Sequence, residues 1–343
     1  MKNKLIIFLI GLFLLFTGFF SVHMIFFSPN VKLNKDRILI DIPDSTDFYA
    51  LTKILKPYLR SEKTFEWASK IKHFSKVKPG RYEIKNHWNN NNLINVLRIG
   101  KQVEINITFN NQNSLEDLAG AVAKQISADS VSLLKAMLDK EFLKTTGFDK
   151  NTALLMYLPN TYRFYYNTSA KKFRDKMWME YQKFWNEKRK KKAKDLDLNP
   201  IKVGILASII QKESNQKTEL PKIAGVYLNR LKKNWLLQAD PTVVYAYQQK
   251  YGKDLVIKRV LNKHKEVGSP YNTYKYQGLP PGPICMPDIR SIKAVLNPEK
   301  HDYFFFVADM KNPGYHIFSK SLKDHINNAN SYHSGLNKLG IYH

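Results

Sequence analysis

The sequence predicts an α+β protein made of an N-terminal transmembrane helix, a small α/β subdomain and a larger mixed α+β domain. Three observations lead to this prediction. Residues 5–27 are almost wholly apolar, residues 37–101 alternate between strand-like and helix-like patterns, and helix-like patterns dominate beyond them. We therefore divide the chain into a short tail (1–4), an anchor (5–27), a subdomain (37–101) and a large domain (102–343).

The apolar segment is interrupted only by His23 and a few hydroxyl side chains. A helix of this length spans roughly 30 Å of hydrocarbon, because each residue adds about 1.5 Å. A cleaved signal peptide has a shorter apolar stretch followed by small residues, whereas residues 26–30 read FFSPN. We therefore expect an uncleaved, single-pass anchor. Basic residues flank it on both sides, so their distribution does not fix its orientation.

The charge of the chain favours a polyanionic partner. The 55 Lys and Arg residues exceed the 29 Asp and Glu residues, which gives a formal charge of +26. Nucleic acid, anionic lipid headgroups and acidic wall polymers all fit such a charge. The anchor and the absence of any nucleic-acid-binding motif argue against nucleic acid. Cys285 is the only cysteine, which excludes an intramolecular disulfide, and no motif suggests a metal or a nucleotide cofactor.

The subdomain combines strand and helix periodicities. Its first strand reads RILIDIP, its second follows a Pro-Gly turn, and Gly100 is the expected C-cap of its last helix. The predicted elements are a strand at 37–43, helices at 46–59 and 63–73, a strand at 78–84 and a helix at 93–101.

The large domain begins with an alternating segment at 102–110 and then becomes mainly helical. Ser114, with Asp117 three residues later, is close to a capping box and starts the first helix. The predicted elements up to residue 194 are helices at 114–126 and 131–143, an aromatic loop or extended stretch at 158–166, and one long helix at 169–194.

The most informative helix is predicted at 201–214, after the start signal Asn199-Pro200. At about 100° per residue, Glu213 projects within about 20° of Leu206. It therefore falls in an apolar stripe with Leu206, Ile209 and Ile210. Such a carboxylate is either a structural group paired with a base such as Arg230, or a general acid whose pKa is raised by burial. Spacing alone leaves both readings open.

Two further segments carry candidate binding residues. Gln238 and Asp240 lie just before a predicted helix, in which Asp240-Pro241 forms an N-cap and first-turn pair. Tyr271, Asn272 and Thr273 lie in a loop, 269–284, that is rich in proline and tyrosine. Aromatic faces and amide groups suit a sugar-binding groove, but the same residues could serve a purely structural loop.

Together these segments resemble the endolytic murein transglycosylases, the MltG/YceG-like family of bacterial cell-wall enzymes. The resemblance covers nearly the whole chain, with ordered and spaced motifs across its C-terminal part. The matching residues are LASIIQKES (206–214), IAGVYLNRL (223–231), LQADPTVVYAY (237–247), SPYNTY and GLPPGPI (269–284), LNP (296–298), YFFFVAD (303–309) and HIFSKSLKDH (316–325), with a weaker match of PNTYRF (159–164).

The resemblance implies that the enzyme cuts the β-1,4 bond between N-acetylmuramic acid and N-acetylglucosamine and leaves a 1,6-anhydromuramoyl end. It implies that Glu213 is the catalytic acid and base, and that Gln238, Asp240, Tyr271, Asn272 and Thr273 contact the glycan. The family often has a second glutamate where this chain has Gln211.

The same resemblance implies that residues 37–101 are LysM-like and that the catalytic domain lies outside the bacterial cytoplasmic membrane. The partners implied are peptidoglycan glycan strands and, as candidates, peptidoglycan synthases. Two alternatives remain open at this point: a muramidase-type hydrolase that uses Asp240 as a second carboxylate, and a non-catalytic wall-binding protein anchored in the membrane.

Overall fold

The computed structural model describes residues 2–257 and 259–338 and shows a mixed α+β protein with small two-stranded sheets. Its N-terminal helix α1 (Lys2–Phe27) contains a segment, Leu5–Phe27, that is long and apolar enough to cross a membrane. The described chain forms two compact units. Unit 1 comprises residues 2–107, 123–129 and 162–169, and unit 2 comprises 108–122, 130–161, 170–257 and 259–338.

Unit 1 contains a β-α-α-β arrangement followed by a helix. Its two strands are antiparallel, with Arg37 opposite Lys85 and Ile42 opposite Gly80. Gly100 (φ 78°) ends the last helix, which confirms the predicted C-cap. After α1 the elements are β1 (Arg37–Ile42), α2 (Phe48–Leu55), a 3₁₀ turn (Lys56–Tyr58), α3 (Glu62–Ile71), β2 (Gly80–Lys85) and α4 (Asn90–Ile99).

The rest of the chain is mainly helical. Its strands pair β3 with β4 and β5 with β6. The elements are β3 (Glu104–Phe109), α5 (Leu115–Ala123), α6 (Ser130–Met137), α7 (Lys140–Thr146), a 3₁₀ turn (Ala153–Met156), β4 (Asn160–Tyr165), α8 (Ala170–Phe184), α9 (Glu187–Lys194), α10 (Pro200–Glu213), α11 (Leu220–Lys232), α12 (Asp240–Tyr251), α13 (Asn262–Lys265), α14 (Ile289–Leu296), β5 (Phe305–Ala308), β6 (His316–Ser319) and α15 (Leu322–Lys338).

Two predicted helices are each divided in the structure, so their predicted extents were wrong. The segment 169–194 is broken between α8 and α9, where the Asn186 side chain accepts from Arg189 N at 3.1 Å. The segment 131–143 is broken between α6 and α7, where Asp139 accepts from Phe142 N at 2.8 Å. In both cases a short polar side chain caps a new helix instead of continuing the old one.

The core of unit 2 surrounds α10. Every residue from Val203 to Ile210 is buried, so this helix has no solvent-facing side over two turns. The predicted apolar stripe is therefore part of a helix that is buried all round. Gly204 permits the close packing: a β-carbon there would lie 2.8 Å from a Leu155 methyl group. The chain starts this helix with the Asn199 cap, which accepts from Lys202 N at 2.8 Å.

Candidate active site

A cleft of about 1110 Å³ opens in unit 2 beside the C-terminal end of α10. Glu213, the last residue of α10, and Asp240, the first residue of α12, both line it. Tyr271 and Ile284 contribute from the proline-rich loop, which is joined to α10 because Ile284 N donates to Ser208 Oγ at 3.1 Å. The cleft therefore brings together Glu213, Asp240 and the loop with the candidate sugar-binding residues, and Glu116, Asp117 and Asp254 also contribute to its lining.

Glu213 receives a short hydrogen bond from a tyrosine on the neighbouring helix. The hydroxyl of Tyr227 on α11 donates to Glu213 Oε1 at 2.5 Å. The Tyr227 side chain is only 1% exposed, so its hydroxyl has no access to bulk water. This bond fixes the orientation of the carboxylate at the wall of the cleft.

Burial raises the pKa of the Glu213 carboxyl to about 7. The Tyr227 hydrogen bond opposes this change because it favours the ionised form, while the nearby charge of Asp240 reinforces it and Arg230 weakly opposes it. A carboxyl with a pKa near 7 holds its proton in a large fraction of molecules at neutral pH. It can therefore donate that proton and take one back, as general acid–base chemistry requires.

If Glu213 had only a structural role, Arg230 would be its expected partner, but the two side chains do not pair. Its guanidinium donates to Phe304 O at 2.7 Å and also to Leu237 O. Among the residues that the structure describes, no cation lies within ion-pair distance of the Glu213 carboxylate. Arg230 instead joins α11 to the segment before Asp240 and to the segment entering β5.

Asp240 differs from its predicted role at the start of α12. Ala239 occupies the N-cap position and Asp240 is the first helical residue, so the predicted N-cap was wrong. The exposed Asp240 carboxylate instead accepts from the Tyr274 hydroxyl at 2.6 Å. Its charge is therefore available to the cleft and is not used in capping.

The residues at 271–273 divide into a cleft residue and two buried ones. Tyr271 lines the cleft and its ring packs against Tyr245, with ring centroids 4.8 Å apart. Asn272 is fully buried and donates to Lys265 O and Val267 O, both at 2.8 Å. Thr273 is 1% exposed, and its hydroxyl accepts from Ala239 N at 3.0 Å. In this structure Asn272 and Thr273 shape the loop from inside.

Gln238 lies on the segment that leads into α12. Its side chain is exposed, and its backbone takes the left-handed conformation (φ 49°). The Gln238 N–H donates to Thr273 O at 3.0 Å, which ties this segment to the proline-rich loop. Gln238 is therefore positioned beside Asp240 by the same loop that carries Tyr271.

A second polar network holds the chain immediately after Glu213. The Ser214 hydroxyl donates to Glu219 Oε2 at 3.3 Å, and Glu219 is 8% exposed. His316 contacts the same carboxylate twice, from its backbone N at 2.8 Å and from Nδ1 at 3.0 Å. The β5–β6 hairpin is thus tied to the residue next to the candidate acid.

Sequence reasoning did not identify Tyr227, Glu219 or His316 as parts of the site. The signal available was weak: Tyr227 and His316 lie within matching motifs, and Glu219 precedes a Pro-initiated helix. Among the described residues, no group of three or more His, Cys, Asp and Glu side chains could hold a metal ion.

Comparison with known proteins assigns the chain to a family. The sequence model of the YceG-like family matches residues 40–331. This chain belongs to the YceG-like family. It is 33% identical over 342 residues to a Bacillus subtilis protein named endolytic murein transglycosylase, covering 95% of this chain and 93% of that protein. The resemblance read from the sequence motifs is therefore confirmed.

Two further relatives extend the comparison. A Streptococcus pneumoniae protein (serotype 2, strain D39), also named endolytic murein transglycosylase, is 25% identical, and the match covers 96% of this chain but 65% of that protein. A crystal structure of a YceG-like protein from Listeria monocytogenes has 29% sequence identity and a TM-score of 0.55, covering 86% of this chain and 99% of that one. The fold and the sequence thus lead to the same family.

Gln211, two residues before Glu213 on α10, lies outside the cleft lining. Its amide donates to Met286 O at 3.2 Å and its carbonyl oxygen accepts from Asp288 N at 2.6 Å. Both ends of the amide are used to hold the segment before α14. Glu213 is therefore the acidic side chain that α10 directs to the cleft.

Proposed function

We propose that this YceG-like chain is an endolytic murein transglycosylase, an enzyme of the lyase class that cuts peptidoglycan glycan strands, with Glu213 as its acid and base. The names of its relatives support the reaction class. The observation that carries the residue assignment is Glu213 itself: burial raises its pKa to about 7 while its carboxyl lines an open cleft. A structural glutamate would need neither property.

The proposed reaction breaks the β-1,4 bond between N-acetylmuramic acid and N-acetylglucosamine. Protonated Glu213 gives its proton to the bridging oxygen, which leaves with the bonding electrons as the C4 hydroxyl of N-acetylglucosamine. The resulting carboxylate then takes the proton from the C6 hydroxyl of the muramoyl residue, whose oxygen attacks C1. The product has a 1,6-anhydro ring, no water is consumed, and Glu213 is protonated again. The attack is intramolecular, so it gains from proximity.

The neighbouring residues support this cycle. Tyr227 orients the carboxyl, and the negative charge of Asp240 favours the protonated form of Glu213 and can stabilise positive charge developing at C1. Tyr271, which lines the cleft, and Gln238, which lies outside the lining but close to Asp240, would contact acetamido and hydroxyl groups, while Asn272 and Thr273 would act through the loop that they hold. The cleft, at about 1110 Å³, is at the upper end of the range of about 300–1000 Å³ typical of small-molecule sites and has room for more than one sugar.

We also propose roles for helix α1 in the membrane and for unit 1 in glycan binding. Helix α1 would remain as an uncleaved single-pass anchor in the bacterial cytoplasmic membrane, with both units on its outer side. This location would keep the cleft near newly made glycan strands, and cleavage there would terminate their elongation. The β-α-α-β arrangement of unit 1 is compatible with a LysM-like glycan-binding module.

Mass spectrometry of the products tests the proposed chemistry. Purified glycan strands treated with the wild-type chain should give 1,6-anhydromuramoyl ends, and Glu213→Gln should give almost none. A reducing muramic end would instead support the second candidate, a muramidase-type hydrolase, which the position of Asp240 in the same cleft permits. If Glu213→Gln released as much soluble product as wild type, the catalytic assignment would be wrong.

A further inference from the structure

The C-terminal end of α1 is part of the folded core of unit 1. Phe26 is 9% exposed and packs in the same hydrophobic cluster as Val31, which is fully buried. The buried Asn90 side chain donates to Ile25 O at 2.8 Å and accepts from Asn30 Nδ2 at 2.7 Å. The apolar helix therefore runs into unit 1 without a flexible linker.

The length of α1 places this junction at a defined depth. About 20 helical residues cross a hydrocarbon core of roughly 30 Å. A membrane span that begins at Leu5 would leave the hydrocarbon near Met24. Ile25 to Phe27 would then lie at the level of the lipid headgroups, and so would the groups of unit 1 that contact them.

Two cations lie at this junction. Lys72 Nζ is 5.9 Å from the centre of the Phe26 ring and donates to Asn95 Oδ1 at 2.7 Å and to Asn91 Oδ1. Arg98 follows Asn95 by three residues on α4, so it lies one turn from the amide groups that Lys72 contacts. Burial lowers the pKa of Lys72, and the positive charge of Arg98 lowers it further, as expected for neighbouring cations. Within the described residues, neither Lys72 nor Arg98 has an acidic partner at ion-pair distance. Two adjacent cations without a counter-ion favour an external anion.

Apolar side chains lie beside these cations on α3. Trp67 is 59% exposed and Ile71, the neighbour of Lys72, is 52% exposed. Their spacing of four residues places them on one side of the helix. Tryptophan is enriched at membrane interfaces, where its ring suits the boundary between hydrocarbon and water. The exposed pair therefore fits a lipid surface that continues outward from α1.

We propose that Lys72 and Arg98 bind the phosphate of an anionic phospholipid headgroup and that Trp67 and Ile71 enter the adjacent interface. This inference rests on the proposed role of α1 as a membrane span. It adds to the anchor a second contact, which seats unit 1 directly on the bilayer. The partner is the lipid surface itself, recognised by its phosphate charge and its apolar boundary.

The experiment uses the full-length chain in nanodiscs of phosphatidylglycerol and phosphatidylcholine in equal amounts. Native mass spectrometry of the ejected protein measures how much phosphatidylglycerol stays bound relative to phosphatidylcholine. We expect Lys72→Gln with Arg98→Gln to lower this ratio roughly 25-fold, about fivefold for each cation near an anionic surface. Arg98→Gln alone, at an exposed position, should lower it about fivefold and guards against misfolding of the double variant. Lys53→Gln with Lys101→Gln removes the same charge elsewhere in unit 1 and should leave the ratio unchanged.

The outcomes separate this inference from the anchor. If the cluster variants keep the wild-type ratio while the chain still inserts into nanodiscs, the headgroup site is wrong and the anchor stands. If excess inorganic phosphate removes the bound phosphatidylglycerol, the cluster serves a soluble anion and the lipid assignment is overturned. If the wild-type chain fails to insert at all, both the anchor and the headgroup site are overturned.

Discussion

Glu213 and Asp240, two of the carboxylates that line the cleft, show how solvent exposure can give different chemistry to similar carboxyl–tyrosine pairs. Glu213 accepts from Tyr227 at 2.5 Å, and Asp240 accepts from Tyr274 at 2.6 Å. Glu213 is half-buried at the end of a buried helix, and this burial raises its pKa to about 7. Asp240 stands exposed at the first turn of α12. We infer that the Glu213–Tyr227 pair holds a transferable proton, whereas the Asp240–Tyr274 pair holds a negative charge.

The largest expected effect is the loss of the Glu213 carboxyl. Glu213→Gln keeps the size of the side chain and can still accept from Tyr227, but it cannot give or take the proton. We expect the rate of anhydromuramoyl formation to fall about a thousandfold, within the range typical of general acids. The matched control, Glu187→Gln, changes a surface glutamate of α9 whose side chain is 90% exposed and should leave the rate unaltered. Comparable rates for both variants would remove Glu213 from the mechanism.

The same substitution should stabilise the fold at high pH. The folded-state pKa of Glu213 is raised from 4.5 to about 7. At pH values below the unfolded-state pKa the carboxyl is protonated in both states, so its burial does not destabilise the fold. The destabilisation develops as the pH rises through this window and is complete above it. We expect Glu213→Gln to stabilise unit 2 by up to about 3 kcal/mol near pH 8 and by much less near pH 5. Thermal unfolding in detergent at the two pH values measures this; an equal gain at both would contradict it.

The pH profile should distinguish the two tyrosines. Because Glu213 must begin protonated, kcat/KM should fall about tenfold per unit once the pH rises above about 7. The Tyr227 hydrogen bond favours the ionised carboxylate, so Tyr227→Phe should shift this high-pH limb to higher pH by about one unit. Tyr274→Phe, which removes the other hydroxyl, is the control and should move the limb much less. A downward movement in Tyr227→Phe would contradict the arrangement.

The smallest expected effect belongs to Asp240. Its charge raises the pKa of Glu213, so Asp240→Asn should move the high-pH limb downward, opposite to Tyr227→Phe. We expect kcat/KM to fall about fivefold near neutral pH, with the anhydro product retained. Chromatography of the released muropeptides checks the product. A loss as large as that of Glu213→Gln, with reducing ends in the residual product, would make Asp240 a second catalytic carboxylate.

Much of the framework could be predicted because its signals are local. Asn199-Pro200 starts α10, and Gly100 ends α4, since each residue acts on its own helix end. The direction of Glu213 followed from helical geometry. The breaks at Asp139 and Asn186 were missed because residues that favour helices continue across both positions, although each side chain favours a cap.

The partners of the two carboxylates could not be predicted from spacing. Tyr227 reaches Glu213 from the next helix, and Tyr274 reaches Asp240 from a loop 34 residues away in sequence. Such contacts depend on how helices and loops pack, which periodicity does not encode. For the same reason the sequence does not show that Asn272 and Thr273 point inward while Tyr271 lines the cleft.

The two hydrogen bonds of the Gln211 amide determine which protonation state a carboxyl group at this position would need. It offers a donor to Met286 O and an acceptor to Asp288 N at once. An ionised glutamate at 211 would place two acceptors there, so an oxygen would face the Met286 carbonyl. It would restore the donor only by keeping a proton. Exchange between glutamine and glutamate at this position therefore leaves the shape of the side chain almost unchanged but makes the segment before α14 sensitive to acidity.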